Sequence, residues 1–286
     1  MTELKYFNIL RIGLKHHFRK LWQVIGEYKK FEHIYSRLPE VTRKLNINMN
    51  IDWSKLDVDR EYERLVRNNV KIITFWDDDY PKLLREIYIP PLGIYVKGDT
   101  KCFNATTNLS VVGSRHPTDY AQKAVGKILE ELRGSNINIV SGMAIGLDTC
   151  AHKCALNSGL KTIGVIASGF TCFAPKRNIW LAREIVKNGG AVVSEYPIDV
   201  CPEKYFFVER NRIISGISQS VLLIEAKIKG GTMTTARFAE EQNRDIFVIP
   251  NNILIEDGAG TNWLIKEGAK MVDSGKDILM EMNLLN

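Results

Sequence analysis

From about residue 70 onward, short and almost wholly apolar segments alternate with longer amphipathic ones. Strands that are apolar on both faces must be covered on both faces, which a parallel sheet with helical crossovers provides. We therefore predict an α/β fold, a Rossmann-like doubly wound and mainly parallel sheet, over residues 70–286. The predicted strands are 70–75, 109–112, 137–140, 162–166, 191–194, 221–224, 246–249 and 270–272. The predicted helices begin near Thr118, Asp148, Arg177, Phe207, Thr232 and Asn262.

Residues 1–60 have a different pattern. Lys, Arg and His residues separate apolar residues that recur at helical spacing, namely Leu10, Leu14, Phe18, Leu21 and Ile25. We expect a small N-terminal helical domain here, similar to SAM or helix-hairpin-helix domains, in which Pro39 ends the first helical stretch. An Asn-rich connector over 46–50 and a second helix over 57–68 should follow.

The composition limits the class of protein. The chain has no run of about 18 apolar residues, so we predict no membrane span, and its N-terminus lacks the apolar stretch of a signal peptide. We therefore expect a cytoplasmic protein. The net charge of +6 is compatible with a polyanion partner without requiring one. Cys150 and Cys154 lie near His152 without a second ligand pair, so we expect buried thiols in a reducing compartment, with no metal and no cofactor.

In an open parallel sheet, ligands bind beyond the carboxyl ends of the strands, where loops lead into helices. The first such loop contains Gly113, Ser114 and Arg115, which offer close backbone approach, a hydroxyl and a guanidinium to a phosphate. Thr118 then starts the next helix, whose first amides attract anions. A plain strand–helix turn with a solvated arginine explains this loop equally well.

The second loop places Ser141 and Gly142 at a strand end, where they suit contact with a phosphate or a ribose. Asp148 follows as the expected N-cap of a helix, and it could meet His152 across one turn. A catalytic Asp–His pair also needs a nucleophile, and the sequence has no GxSxG turn. We therefore predict no catalytic residues.

The third loop brings Phe173, Lys176 and Asn178 to the same predicted edge of the sheet. A cation there can bind the sugar–phosphate backbone of a nucleic acid, and an exposed ring can stack on a base. The alternative is a buried phenylalanine beside a solvated lysine.

The fourth loop is the strongest candidate for an anion site. Two glycines and three threonines at the start of a predicted helix offer backbone amides and hydroxyl groups to an anion. The loop lacks the Gly-Lys-Ser/Thr ending of a Walker A loop and the GxGxxG pattern of dinucleotide sites, so we expect no hydrolysis of nucleoside triphosphates. The residues that we expect to bind are Lys229, Gly230, Gly231, Thr232 and Thr235.

A polar cluster of Arg210, Asn211 and Arg212 interrupts an otherwise apolar helix. Buried arginines need partners. We expect ion pairs with Glu195 or Glu225, or a position facing the phosphate edge, and both can hold at once.

These segments together resemble the central domain of the DprA/Smf family of DNA-processing proteins. They cover roughly residues 70–272 in the family's order. The segments that carry the resemblance are DDDYPKLLREIYIPPLGIYVKGD, VVGSRHPTDY, SGMAIGLDTCAH, GGAVVSEYP, FVERNRIISGIS, LLIEA, GGTMTTARFAEEQNR and VIPNN. The chain departs from the family pattern where Gly169-Phe170-Thr171 replaces Gly-Leu-Asp and where Ala174 replaces a tyrosine. We expect no C-terminal winged-helix domain.

The resemblance implies a homodimer that binds single-stranded DNA, works with single-strand binding protein and loads the RecA recombinase in natural transformation and recombination. Residues 263–265 are one candidate for the dimer contact. The residues that the resemblance places in the DNA groove are Gly113, Ser114, Arg115, Ser141, Gly142, Lys176, Gly230, Gly231 and Thr232.

Two other functions remain open. One is a nucleotide-binding hydrolase of the related phosphoribohydrolase superfamily, although KGGTMTTARFAEE lacks the PGGxGTxxE motif of those enzymes. The other is a sensor that binds a small nucleotide in the same groove.

Overall fold

The computed structural model describes residues 2–48 and 52–284 of the chain. A single sheet runs through this part of the molecule. Its strands are β1 (Lys71–Thr74), β2 (Gly93–Gly98), β3 (Thr107–Val112), β4 (Ile137–Gly142), β5 (Thr162–Ile166), β6 (Ala191–Ser194), β7 (Ser220–Leu223), β8 (Asp245–Val248) and β9 (Lys270–Met271). They lie in the order β1–β2–β6–β5–β4–β3–β7–β8–β9.

The sheet is parallel from β6 to β9 and antiparallel where β1 and β2 extend it. The prediction of a doubly wound α/β fold is confirmed, because each predicted strand is present within one or two residues. The sequence reasoning missed β2, which pairs with β1 and β6 outside the strand–helix–strand alternation that identified the others.

Helices cover both faces of the sheet. They are α1 (Thr2–Leu14), α2 (Ile25–Tyr28), α3 (Phe31–Ser36), α4 (Leu38–Lys44), α5 (Val58–Arg67), α6 (Lys82–Arg85), α7 (Asp119–Glu131), α8 (Leu147–Asn157), α9 (Ile179–Lys187), α10 (Lys204–Ile217), α11 (Gly231–Glu241), α12 (Ala259–Lys266) and α13 (Gly275–Glu281). Val221 and Leu223 of β7 pack with α10 and α11, whereas Leu222 and Ile224 pack with α7 and α8. This alternation is why the strands read as continuous apolar runs.

The N-terminal helices differ in detail from the prediction. The first helical stretch is not continuous, because α1 ends at Leu14 and Lys15 adopts a positive φ of 48° before a 3-10 helix over Lys15–Gln23. Pro39 does not end a helix but lies in the first turn of α4, where its missing N–H costs no hydrogen bond. The helix predicted over 57–68 is present as α5, and Asp57 caps it. Residues 49–50 of the predicted connector lie outside the described residues.

The N-terminal helices share a hydrophobic cluster with the adjoining edge of the sheet. Phe7 and Phe31 pack there with Tyr95 of β2 and with Ile72 of β1. The same surface carries an ion-pair network, in which Glu195 lies between Arg19 and Arg212. The N-terminal segment therefore contributes to the position of α10, the helix that carries Arg212.

One expectation about the cysteines is wrong. Cys172 and Cys201 form a disulfide between the segments that follow β5 and β6, whereas the reducing compartment that the sequence analysis expected favours free thiols. The pairing could not be read from spacing, because it depends on two neighbouring loops that meet in the fold. Cys102, Cys150 and Cys154 are free. Among the helices of the described residues, none is long and apolar enough to cross a lipid bilayer.

Candidate functional site

A cavity of about 490 Å³ opens at the carboxyl ends of β3 and β7. From β3 the chain winds outward through β4, β5 and β6, and from β7 it winds the other way through β8 and β9. The loops after β3 and β7 therefore diverge, which leaves a crevice where open α/β sheets bind their ligands. The face of α10 that carries Phe207, Asn211 and Ile214 forms another wall.

The loop after β3 forms one rim of this cavity. A Cβ atom on Gly113 would collide with the side chain of Leu147, so glycine is required for the loop to pack on α8. The Ser114 hydroxyl accepts a hydrogen bond from the His116 amide at 3.1 Å, and the Ser114 carbonyl accepts one from Leu147. Arg115 is exposed, and its guanidinium lies 5.6 Å from the centroid of the Phe207 ring. This contact holds a flexible cation over the cavity.

The first turn of α11 forms the opposite rim. The Thr232 hydroxyl donates to the Gly113 carbonyl at 3.0 Å, so the two predicted loops are joined directly. A Cβ atom on Gly231 would meet nothing within 4 Å, which means that this backbone faces open space. No acidic side chain occupies the first turn of α11. The unpaired amides at this helix end carry a partial positive charge that favours an anion.

The floor of the cavity holds a buried cation. Arg210 is 5% exposed, and it donates to the Val165 carbonyl and, at 3.2 Å, to Oδ1 of Asn211. Burial lowers the pKa of Arg210, and nearby Asp148 opposes this shift. Burial also disfavours the charged form of Asp148 and so raises its pKa, whereas the nearby charge of Arg210 acts to lower it. A guanidinium has five N–H donors and stays protonated in proteins, so Arg210 has donors to offer a ligand oxygen.

The residues of the arginine cluster occupy two kinds of position, and the expected ion pair with Glu195 is confirmed for one of them. Arg212 forms a buried ion pair with Glu195, with 2.6 Å between Nη2 and Oε2. Arg210 and Asn211 instead line the cavity. Glu225 has another partner, since its buried carboxylate accepts a hydrogen bond from the Thr118 hydroxyl at 2.6 Å.

Thr118 and several other predicted residues support the cavity without lining it. The Ser141 hydroxyl is fully buried and donates to the Val111 carbonyl. Phe173 packs in a hydrophobic cluster with Met143. Asn178 is buried and donates to the Met143 carbonyl at 2.9 Å. Packing hides Ser141, Phe173 and Asn178 from a ligand in the cavity. For Phe173 this is the buried alternative that the sequence analysis gave.

Other predicted residues lie at or near the same edge of the sheet. Gly142 adjoins the floor, because a Cβ atom there would collide with Asp148 and Arg210. Gly230 and Thr235 line the cavity. Lys229 is exposed on the loop that precedes α11, and Lys176 is exposed on the loop that follows β5. The strand β5 is two positions from β3, roughly 10 Å at the usual spacing between strands.

The sequence reasoning missed several of the residues that line the cavity, among them Phe207 and Lys227. Phe207 precedes Asn211 by four positions, so helical spacing puts both side chains on one face of α10, and this signal was available. Lys227 lines the cavity and forms ion pairs with Glu256 and Asp257. Those partners follow β8, and only the fold brings them beside Lys227.

His152 and Asp148 do not form a pair. Nδ1 of the His152 ring lies 2.6 Å from the Thr162 hydroxyl, and Nε2 lies 2.9 Å from the Gly142 carbonyl. Burial lowers the pKa of His152 to about 4. The imidazole is therefore neutral at pH 7 and links α8 to β4 and β5.

Comparison with known proteins agrees with this architecture. The family described as DNA recombination-mediator protein A matches residues 71–283. The chain belongs to this family. Its relatives include the DNA processing protein DprA of Bacillus subtilis, which is 34% identical over 235 residues, covering 80% of this chain and 79% of that protein.

Two solved structures of family members are similar to this one. DprA of Streptococcus pneumoniae has a TM-score of 0.75 and 32% identity, covering 97% of this chain and 92% of that one. DNA processing protein A of Helicobacter pylori, whose structure concerns its binding of single-stranded DNA, has a TM-score of 0.67 and 29% identity over 74% of this chain and 95% of that one.

Proposed function

We propose that this chain is a recombination mediator that binds single-stranded DNA in the cavity between the loops after β3 and β7. The observation that carries the proposal is the convergence there of Arg115, Arg210, Lys227 and the first turn of α11. Cations and free backbone amides together bind phosphate groups without regard to base sequence. The H. pylori relative, whose solved structure concerns single-stranded DNA, supports this assignment.

The strand would extend beyond the cavity along the carboxyl edge of the sheet. Lys176 and Lys229 are exposed at this edge on opposite sides of β3. Cations spaced along one edge form a path for successive phosphates. Phe207 adds an aromatic ring beside that path, although Arg115 covers part of it.

We further propose that the protein acts as a homodimer. The strand β9 is a free sheet edge, and exposed apolar residues lie near it: Met271 is 55% exposed and Trp263 is 43% exposed. They adjoin a groove of about 620 Å³ between α11 and α12 that Trp263 helps to line. A free edge beside apolar side chains is a surface that a second copy can cover. A dimer would bring two DNA cavities into one assembly.

From family membership we propose three more specific roles. They are loading of the RecA recombinase, cooperation with single-strand binding protein and a part in natural transformation. A mediator of this kind holds the strand through its backbone, which leaves the bases available to the recombinase. This distribution of contacts agrees with the cations and free amides among the residues that line the cavity.

The test is the salt dependence of binding to a fluorescent oligo-dT, measured by anisotropy for the wild type, Arg115→Ala and Lys227→Ala. Each phosphate contact that is lost should reduce the slope of log affinity against log salt by about 0.7. Arg133→Ala is the matched control, because Arg133 is exposed at the opposite end of the sheet, after α7. Unchanged slopes in both cavity variants would contradict the proposal, as would equal or tighter binding of a matching duplex.

A further inference from the structure

The loop between β8 and α12 ends in an apolar tip. Ile253 is 89% exposed and its neighbour Leu254 is 88% exposed. Single exposed aliphatic residues are common on protein surfaces, but two adjacent ones with almost no protein contact form a small apolar step. We call this pair the apolar tip.

Hydrogen bonds hold the backbone of the apolar tip in place. The Asn252 side chain accepts a bond from the Leu254 amide at 2.9 Å, and the Asn252 carbonyl accepts one from the Ile255 amide at 3.1 Å. Asn251 and Asn262 exchange two further bonds at the base of the loop. The turn therefore presents both side chains to solvent as part of its fixed conformation.

The apolar tip belongs to a loop that reaches the proposed DNA cavity through Asp257. Its loop follows β8, which adjoins β7, so it emerges at the same edge of the sheet. Lys227 ties the loop to the cavity through Glu256 and Asp257, and Asp257 itself lines the cavity. Three residues separate Ile253 from Asp257, so at most ~14 Å of chain joins the tip to the rim. That reach is comparable to the length of a few nucleotides.

We propose that Ile253 and Leu254 form a surface on which unpaired bases pack while the phosphates of the same strand occupy the cavity. This inference rests on the proposed function and adds the feature that selects single strands. Bases have apolar faces, which a duplex hides by stacking and an unpaired strand exposes. Apolar side chains that contact base faces are an established device in DNA-binding proteins. A cationic cavity beside an apolar step matches the two chemical parts of one unpaired strand.

The test compares two oligonucleotides of equal length, oligo-dT and an oligomer of abasic nucleotides with the same phosphates. The variant is Ile253→Ser with Leu254→Ser. The wild type should bind oligo-dT more tightly than the abasic oligomer. In the variant the ratio of these two affinities should fall about tenfold, because its affinity for oligo-dT decreases while its affinity for the abasic oligomer stays unchanged. Met280→Ser is the control, because Met280 is also exposed, at 56%, on α13 and away from this edge. An unchanged melting temperature checks that the variant folds.

Three other outcomes would contradict the inference, and each has a different meaning. Equal preference for oligo-dT in the variant and the wild type would overturn the inference. An equal loss of affinity for both oligomers, together with loss of the dimer in sedimentation, would make the apolar tip a contact between copies of the chain and would also overturn it. If the wild type binds neither oligomer, the proposed function itself fails, and this inference fails with it.

Discussion

The buried carboxylate of Glu195 joins the N-terminal helices to α10, the helix that carries the cavity residues Phe207, Arg210 and Asn211. Oε2 of Glu195 accepts hydrogen bonds from Arg212 at 2.6 Å and from Arg19 at 3.1 Å. Burial alone would raise the pKa of Glu195, but Arg212, Arg19 and Arg11 outweigh burial and hold this pKa at about 2, below the ordinary value of 4.5. We therefore expect Glu195→Gln to destabilise the protein.

The size of the effect follows from the shift in pKa. A carboxyl group whose pKa falls from 4.5 to about 2 on folding contributes about 3 kcal/mol to the free energy of unfolding above pH 4.5. This contribution is lost as the pH falls through the folded-state pKa, with about 2 kcal/mol gone by pH 3. Breaking a buried ion pair by removing one partner costs about 3–5 kcal/mol in other proteins, and this is a second route to the same figure and not an additional term. We expect Glu195→Gln to lower the free energy of unfolding by about 3 kcal/mol at pH 7.

Urea denaturation at several pH values measures this difference. The gap between the wild type and Glu195→Gln should stay constant from pH 7 to pH 5 and shrink below pH 4.5. Glu209→Gln is the matched control, because Glu209 lies on the same helix and also binds Arg19, but its side chain is 32% exposed. Such a pair contributes at most about 1 kcal/mol. A gap that does not change down to pH 3, or a Glu209 variant as unstable as the Glu195 variant, would refute the reasoning.

Three further predictions concern the interior, the cavity and the dimer. The His152 imidazole should titrate with a pKa of about 4 in NMR spectra of the folded protein, and a pKa near 6.5 would contradict this. The free energy of unfolding should fall by about 3 kcal/mol as the pH decreases from 6.5 to 4, because only the unfolded chain gains the proton in this range. Gly142→Ala should lower the melting temperature, because the new Cβ would collide with Asp148 and Arg210. Gly231→Ala should leave the melting temperature unchanged and weaken the binding of oligo-dT, and the opposite pattern would show that the open space at Gly231 is not where the strand binds. Trp263→Glu with Met271→Glu should produce a monomer in sedimentation without loss of fold, and an unchanged mass would remove this surface as the dimer contact.

Much of the fold could be predicted from the sequence, because its strands are apolar on both faces and helices separate them. The loops after β3 and β7 could be identified as candidate anion sites for the same reason, since the carboxyl ends of parallel strands meet at one edge. The hydrogen bond from Thr232 to Gly113 is the contact that joins these two loops.

The use of individual side chains was harder to predict. Ser141, Phe173 and Asn178 occur in the expected loops, but their side chains face the interior, and residue type alone does not distinguish the two directions. The break after α1 depends on the positive φ of Lys15, a conformation that no local sequence signal required. The disulfide between Cys172 and Cys201 likewise depends on the meeting of two loops.

The sequence by itself therefore determined the class of fold, the edge of the sheet that carries the candidate site and the chemical groups available there. These depend on periodicity and on residue types in short segments, which are local properties. Only the tertiary structure decided that Arg210 lies in the floor of the cavity while Arg212 pairs with Glu195, and that Lys227 is joined to the loop after β8. These contacts join side chains that are far apart in the sequence, and only the packing of the folded chain brings those side chains together.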